Sequence, residues 1–229
     1  MNRKYLFIIM LTAFLFQTCK NSSTEKILCI ADNLTQIDEF TISGSKHFVR
    51  DFQPIDEEGN LNVVVEIPTG TNEKWEVDKK SGNLKLEFRN KNPRIIKYLS
   101  YPANYGMIPQ TLLPEEEGGD NDPLDVIVLG SAEKRGSVIK VRLIGVLKLI
   151  DNGERDDKLI AVKKDSHIFE IDELIELDQN FFGISEIIKI WLTNYKGKGQ
   201  LISNGYGNSG EAKIILDKAM AAYDREIAH

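Results

Sequence analysis

Three carboxylates fall within six residues, Asp120, Asp122 and Asp125, between the pair Gly118-Gly119 and the apolar run Val126 to Leu129. Like charges this close repel and raise one another's pKa, so any fold must place them where cations neutralise them or where one acid keeps a proton. The cluster therefore belongs at the start of a strand. Asp120 and Asp122 lie two apart and would share one side of an extended segment, while Pro123 stiffens the turn before Asp125. The spacing predicts that three oxygen donors converge, and oxygen-only donors favour Mg²⁺ or Mn²⁺ over zinc. A calcium loop of the EF-hand kind fails, because its fifth and sixth positions, an oxygen ligand and a glycine, are here Leu124 and Asp125. The bland alternative is a solvated acidic loop, and the rest of the chain decides between them.

At 229 residues, 41% hydrophobic and 28% charged, the chain can bury one full core, and one domain is expected after a targeting segment. A formal charge of -6 with no long basic run argues against a nucleic-acid partner. An anionic substrate must then be held by local cations. Cys19 and Cys29 form no CxxC pair, and His47, His167 and His229 are scattered without ligand spacing, so neither zinc nor a disulfide framework is indicated. Cys29 reads as structural or inert.

Arg3 and Lys4 precede an apolar run from Tyr5 to Phe16, the layout of a secretory signal. The run is short of the about 20 apolar residues that span a bilayer. Cys19, after Phe16-Gln17-Thr18, resembles the cysteine of a bacterial lipoprotein signal, with Phe16 and Thr18 a relaxed form of the usual residues. The expectation is a signal peptide over 1–18, lipidation at Cys19, an extension over 19–60 and a catalytic domain over 61–229. The protein would then be exported and held by a lipid anchor at a membrane of the cell envelope, on the periplasmic side. An uncleaved anchor or an ordinary signal is the rival, and without any signal the chain is cytoplasmic.

Short alternating runs fill much of the remainder. Leu61, Val63, Val65 and Ile67 are assigned to one face of a strand, with Asn62, Val64 and Glu66 on the other. After a turn at Pro68 to Asn72, Trp75 and Val77 alternate with Lys74, Glu76 and Asp78, and a Ser81-Gly82-Asn83 turn leads into Leu84, Leu86 and Phe88. Val126 to Leu129 and Lys158 to Val162 read as strands, and Val138 to Ile150 as a longer one with Gly145 as a bend or bulge. Asp151 to Lys158 is a second acidic group between strands, with Asn152-Gly153 as a hairpin signal. Helical spacing links Ile184, Ile187, Ile188, Trp191, Leu192 and Tyr195, and Asn208 with Glu211 could cap a C-terminal helix through Tyr223. Residues 20 to about 60 are polar and weakly periodic and receive no element. The pattern predicts an α+β fold, mainly β, built on a small barrel.

Five stretches occur in order: Val65-Glu66-Ile67-Pro68, Lys74-Trp75-Glu76, Tyr101-Pro102-Ala103-Asn104-Tyr105-Gly106, Asp120 to Val126, and Asp151 to Lys158, followed by Tyr195-Lys196. Together they resemble soluble family I inorganic pyrophosphatases, whose signature is Asp-x-Asp-Pro-hydrophobic-Asp-hydrophobic. The resemblance runs from Leu61 to the C-terminus. It implies a small closed five-stranded, OB-like β-barrel with flanking α-helices, a homo-oligomer, and Mg²⁺-dependent hydrolysis of pyrophosphate to two phosphates. By the same resemblance Asp120, Asp125 and Asp156 hold an activating metal, with Asp125 shared with a second ion so that both polarise one attacking water. Asp122 is then the general base. Asp151 with Asp156, and Glu66 through water, hold the ions that arrive with substrate. Lys74, Arg94, Lys158, Lys196 and Tyr195, with Tyr105, grip the phosphoryl groups, and Tyr101 and Glu76 orient their neighbours. The stretch from Gly82 to Tyr101 departs from the family, so the phosphate-binding arginine is Arg94 or Arg89, with Arg94 nearer the usual separation.

Each residue also has a duller reading. Glu66 alone reads as a solvent-facing strand residue, Lys74 with Glu76 as a surface pair, and Tyr101, Tyr105 and Tyr195 as core rings. Asp151 to Lys158 reads as a solvated hairpin. For the whole chain, the rivals are a non-catalytic lipoprotein that binds metal or pyrophosphate, a hydrolase of another short phosphoanhydride, and a surface interaction module resting on residues 20–60 alone.

Overall fold

The computed structural model describes residues 30–228; the expected signal peptide and Cys19 lie outside the described residues. Two strands precede Leu61, where the sequence pattern gave no element: β1 (Thr35–Asp38) and β2 (Thr41–Ser43). They extend a sheet whose other members are β4 (Trp75–Val77) and β5 (Leu84–Leu86), with β3 (Leu61–Ile67) in a separate sheet; the order is β1-β2-β5-β4. Ile42, Phe48 and Val49 bury against Trp75, Leu84 and Leu86, which is why a polar-looking segment holds its place. A small hairpin follows, β6 (Phe88–Arg89) with β7 (Asn92–Pro93).

The larger sheet contains β3, β8 (Asn104–Met107), β9 (Asp125–Leu129), β10 (Val138–Asp151), β11 (Glu154–Arg155), β12 (Lys158–Lys163) and β13 (Leu201–Asn208). Its pairings run from β3 to β8, β9, β12 and β10, and β10 pairs back onto β3 through Val138↔Val64 and Val141↔Leu61. Only β9 and β12 within this ring are parallel. The Asn152-Gly153 turn has φ of 51° and 94°, the left-handed pair that a two-residue hairpin loop requires. Gly145 lies at a register shift between β10 and β12, as the sequence suggested.

Alternation along β9 and β12 divides the core. Ile127, Leu129, Ile160 and Val162 pack with Tyr101, Tyr105 and Trp191 on one face, while Val126, Val128, Leu159 and Ala161 pack on the other with Ala212, Leu216 and Ala219. The helices α1 (Leu174–Asn180) and α2 (Ile184–Asn194) cover the first face, and α3 (Ser209–Ile227) the second. Asn208 caps α3: its side chain accepts from the Glu211 amide at 2.9 Å, and Glu211 accepts from the Asn208 amide at 3.4 Å.

One expected face is corrected. Val65 packs with Leu61 and Val63, but Ile67 joins the opposite cluster with Tyr105. A register shift against β8 between Val65 and Ile67 inserts one residue, Glu66, and a bulge of this kind re-aims the side chains after it.

Candidate active site

Asp125 opens β9 and Lys158 opens β12, and the parallel register pairs Val126 with Leu159. The two residues one step earlier therefore stand side by side. Lys158 Nζ donates to Asp125 Oδ2 at 2.5 Å and also hydrogen-bonds Asp156, with Lys158 only 4% exposed. Burial alone would lower the lysine's pKa, but the two carboxylates outweigh it and hold it above its ordinary value. Burial pushes Asp125 up, yet Lys158 and Lys74 bring it below the usual carboxylate range. Asp156 goes the other way: burial outweighs Lys158 and leaves it raised.

The bulge on β3 sends the Glu66 carboxylate into the same cavity, where it is 4% exposed and accepts from the Val77 amide at 2.7 Å. Burial, opposed by Lys74 and helped by Asp125, lifts its pKa to about 8. Lys74 is also buried; its Nζ lies 2.8 Å from Glu76 and 4.8 Å above the Tyr105 ring. Neither residue takes the solvent-facing position that its charge suggests in isolation. At the far end of β10, Asp151 receives a hydrogen bond from Lys196, which with Tyr195 follows the last turn of α2. Tyr195 stacks on Trp191 at 4.7 Å, and Trp191 contacts Tyr101 at 4.4 Å. Tyr101 contacts Tyr105 in turn and lies behind the cavity wall, where burial raises its pKa.

A single cavity of about 330 Å³ is lined by Glu66, Lys74, Glu76, Arg94, Tyr105, Asp120, Asp122, Asp125, Asp151, Asp156, Lys158, Tyr195 and Lys196. Arg94 reaches it with a side chain 12% exposed and a hydrogen bond to Glu87, whereas the Arg89 side chain is 62% exposed. The expected extended run at Asp120 to Asp122 is a turn instead. Asp120 Oδ1 accepts from the Asp122 amide at 3.0 Å, and Asn121 adopts φ of 60°. Asparagine tolerates that conformation and the aspartate side chain supports it, and both carboxylates line the cavity from this turn.

Two charged cavity residues were not singled out from sequence. Lys79 reaches across the mouth to Asp122 Oδ1 at 2.5 Å and to the Asn121 carbonyl at 2.8 Å. Asp78, beside it, shares the face of Lys74 and Glu76, and that alternation was its only sequence signal. The Lys79-Lys80 pair sits in a turn and looks like ordinary solvated charge.

The family model described as inorganic pyrophosphatase matches residues 63–224, most of the chain. The chain belongs to the inorganic pyrophosphatase family. An inorganic pyrophosphatase of Helicobacter pylori is 37% identical over 177 residues, covering 72% of this chain and 91% of its own. Soluble inorganic pyrophosphatase 3 of Arabidopsis thaliana is 44% identical over 176 residues, covering 74% of each chain. Among solved structures, the inorganic pyrophosphatase of Schistosoma japonicum superposes with a TM-score of 0.75 at 29% identity, covering 81% of this chain and 75% of its own.

The donor chemistry of this pyrophosphatase fold suits a hard cation. The cavity holds more carboxylates than cationic side chains and offers neither imidazole nor thiolate. Among the described residues, however, no three acids converge on one point. Lysines stand between them: Lys158 between Asp125 and Asp156, Lys196 at Asp151, Lys79 at Asp122. Asp120, raised by burial and by its acidic neighbours Asp122 and Asp125, marks the same excess of negative charge.

Proposed function

We propose that this chain hydrolyses inorganic pyrophosphate to two phosphates with Mg²⁺, Mn²⁺ being a possible substitute. The observation that carries the reading is the meeting, in one cavity, of acids and cations drawn from six separate stretches of sequence. Asp120, Asp125, Asp151 and Asp156, with Glu66 through water, would hold Mg²⁺, which neutralises phosphoryl charge and makes an attacking water more acidic. Asp122 would serve as the general base, accepting a proton at Oδ. Lys74, Arg94, Lys158, Lys196, Tyr195 and Tyr105 donate to the phosphoryl oxygens and stabilise the departing phosphate, since positioning and charge account for most of phosphoryl-transfer catalysis. Glu76 orients Lys74, and Tyr101 buttresses Tyr105 and Trp191.

The ring of pairings through β3, β8, β9, β12 and β10 supports a closed five-stranded, OB-like barrel with flanking helices. Division into a signal over 1–18, an extension over 19–60 and a catalytic domain over 61–229 belongs to the same proposal. So does export with lipidation at Cys19, which rests on sequence. Assembly as a homo-oligomer is supported by exposed apolar side chains at Phe182, Ile187 and Ile190.

A phosphate-release assay with pyrophosphate, with and without Mg²⁺, tests the activity. Competition by polyphosphate or nucleotide separates pyrophosphate from other phosphoanhydrides, and binding without phosphate release would favour the non-catalytic rival. Labelled-lipid incorporation that survives Cys19→Ala would refute the anchor.

A further inference from the structure

Arg135 lies outside the cavity, in the turn before β10, yet it is buried at 7% exposure. Its Nε donates to the backbone carbonyl of Glu66 at 3.0 Å, its Nη2 lies 3.5 Å from Glu73, and its guanidinium stacks 4.7 Å from the Trp75 ring. Glu66 and Trp75 lie on β3 and β4, and each of these strands carries a cavity residue. Glu66 is the inserted residue of the β3 bulge and has no partner in the register with β8, and its carbonyl accepts from the guanidinium. Trp75 sits between Lys74 and Glu76, and its ring occupies the face of β4 opposite theirs. Flanking backbone bonds, Gly136 N to Val65 O at 2.7 Å and Val65 N to Ser137 O at 2.9 Å, fix the distance between this turn and the bulge. The Arg135 carbonyl in turn accepts from Ala31 at 2.9 Å, which ties the segment before β1 to the same point.

We propose that Arg135 is a positioning residue for this site: it fixes the Glu66 bulge and the Trp75 strand against each other and so sets where the Glu66 carboxylate stands for a divalent cation. The proposal rests on the Mg²⁺ role given to Glu66 above. Lysine cannot replace it, because an ammonium supplies neither the planar surface on Trp75 nor a fixed donor aimed at the Glu66 carbonyl. A guanidinium that merely filled space would change thermal stability and leave the folded cavity as it was.

The test is calorimetric Mg²⁺ binding to the full chain, alongside the Mg²⁺ dependence of phosphate release and its KM-against-kcat split. In Arg135→Lys, with folding checked by circular dichroism, Mg²⁺ should bind about ten-fold more weakly, the cost typical of losing a group that orients a ligand. The Mg²⁺ needed for half-maximal activity should rise in step, with kcat at saturating Mg²⁺ nearly unchanged. If Arg135→Lys does not fold, Trp75→Phe, which weakens the stack and keeps the donor, should shift the isotherm the same way by a smaller factor. A folded variant with the wild-type isotherm overturns the role of Arg135 alone. A wild-type chain that binds no Mg²⁺ overturns both this inference and the Mg²⁺ role on which it rests.

Discussion

Lys158 Nζ stands 2.5 Å from Asp125 Oδ2 at the neighbouring ends of two parallel strands, and the same ammonium hydrogen-bonds Asp156. One cation thus neutralises two acids that the proposed chemistry gives to a metal. Removing it takes from both acids their nearest cation in a largely buried place. Lys158→Met should cost about 3 kcal/mol in metal-free denaturant unfolding, the scale for breaking a buried pair, and Mg²⁺ should restore part of that loss. An unchanged unfolding midpoint would show that the pair contributes no stability.

Arg94 and Arg89 separate cleanly by environment. Arg94 lines the cavity and Arg89 is solvent-facing, its nearest carboxylate partner Glu87 lying 3.9 Å away. A charge-assisted hydrogen bond to phosphate accounts for about 1.5–3 kcal/mol, so Arg94→Ala should raise KM for pyrophosphate about 10- to 100-fold. Arg89→Ala should leave KM within two-fold or so of wild type, as expected for a change at an exposed position. The opposite pattern in steady-state kinetics would exchange the two assignments.

Glu66 makes metal-free stability depend on pH. Burial lifts its pKa from 4.5 to about 8, so between these values the folded state keeps a proton that the unfolded state has lost. Its contribution is fully present below the unfolded value and is lost as pH rises through the folded one. Metal-free Tm should therefore fall across this window, and Glu66→Gln should flatten that slope when followed by calorimetry in chelator. A slope unchanged by the substitution would place the titration elsewhere.

Gly106 is fixed by backbone approach. A Cβ there would lie 2.0 Å from the Val64 carbonyl oxygen, inside the β3–β8 pairing that precedes the Glu66 bulge. Gly106→Ala should cost about 1–3 kcal/mol in urea unfolding, because strand must move from strand. An unchanged midpoint would mean that the two strands part more easily than their register implies.

The residues that line the cavity were named in the sequence through the resemblance of ordered motifs to the family; alternation alone left Glu66, Lys74 and Glu76 looking like ordinary exposed charge. What escaped depended on contacts between distant segments. The bulge that turns Ile67 away from Val65 has no signature within β3, because it is set by pairing with β8. The left-handed Asn121 and the Asp120 side chain that supports it made a turn where alternation suggested an extended run. Lys79 looked like surface charge until the fold brought it to Asp122. β13, with Ser203, Asn204 and Gly205 in its middle, lacks strand character of its own and is held by its pairing to β10. β1 and β2 likewise owe their order to β5 and to the burial of Ile42 and Phe48.

In the proposed reaction this cavity hydrolyses pyrophosphate with Asp122 as the proton acceptor. The most direct measurement is phosphate release from pyrophosphate in saturating Mg²⁺, by the wild-type chain and by a folded Asp122→Asn variant. The wild type should release two phosphates per pyrophosphate, and the variant should turn over at a rate lower by about 10²-fold or more, the range for loss of a general base. A folded wild-type chain that releases no phosphate at any Mg²⁺ concentration would contradict the activity, and an Asp122→Asn variant that turns over like wild type would contradict the role of Asp122.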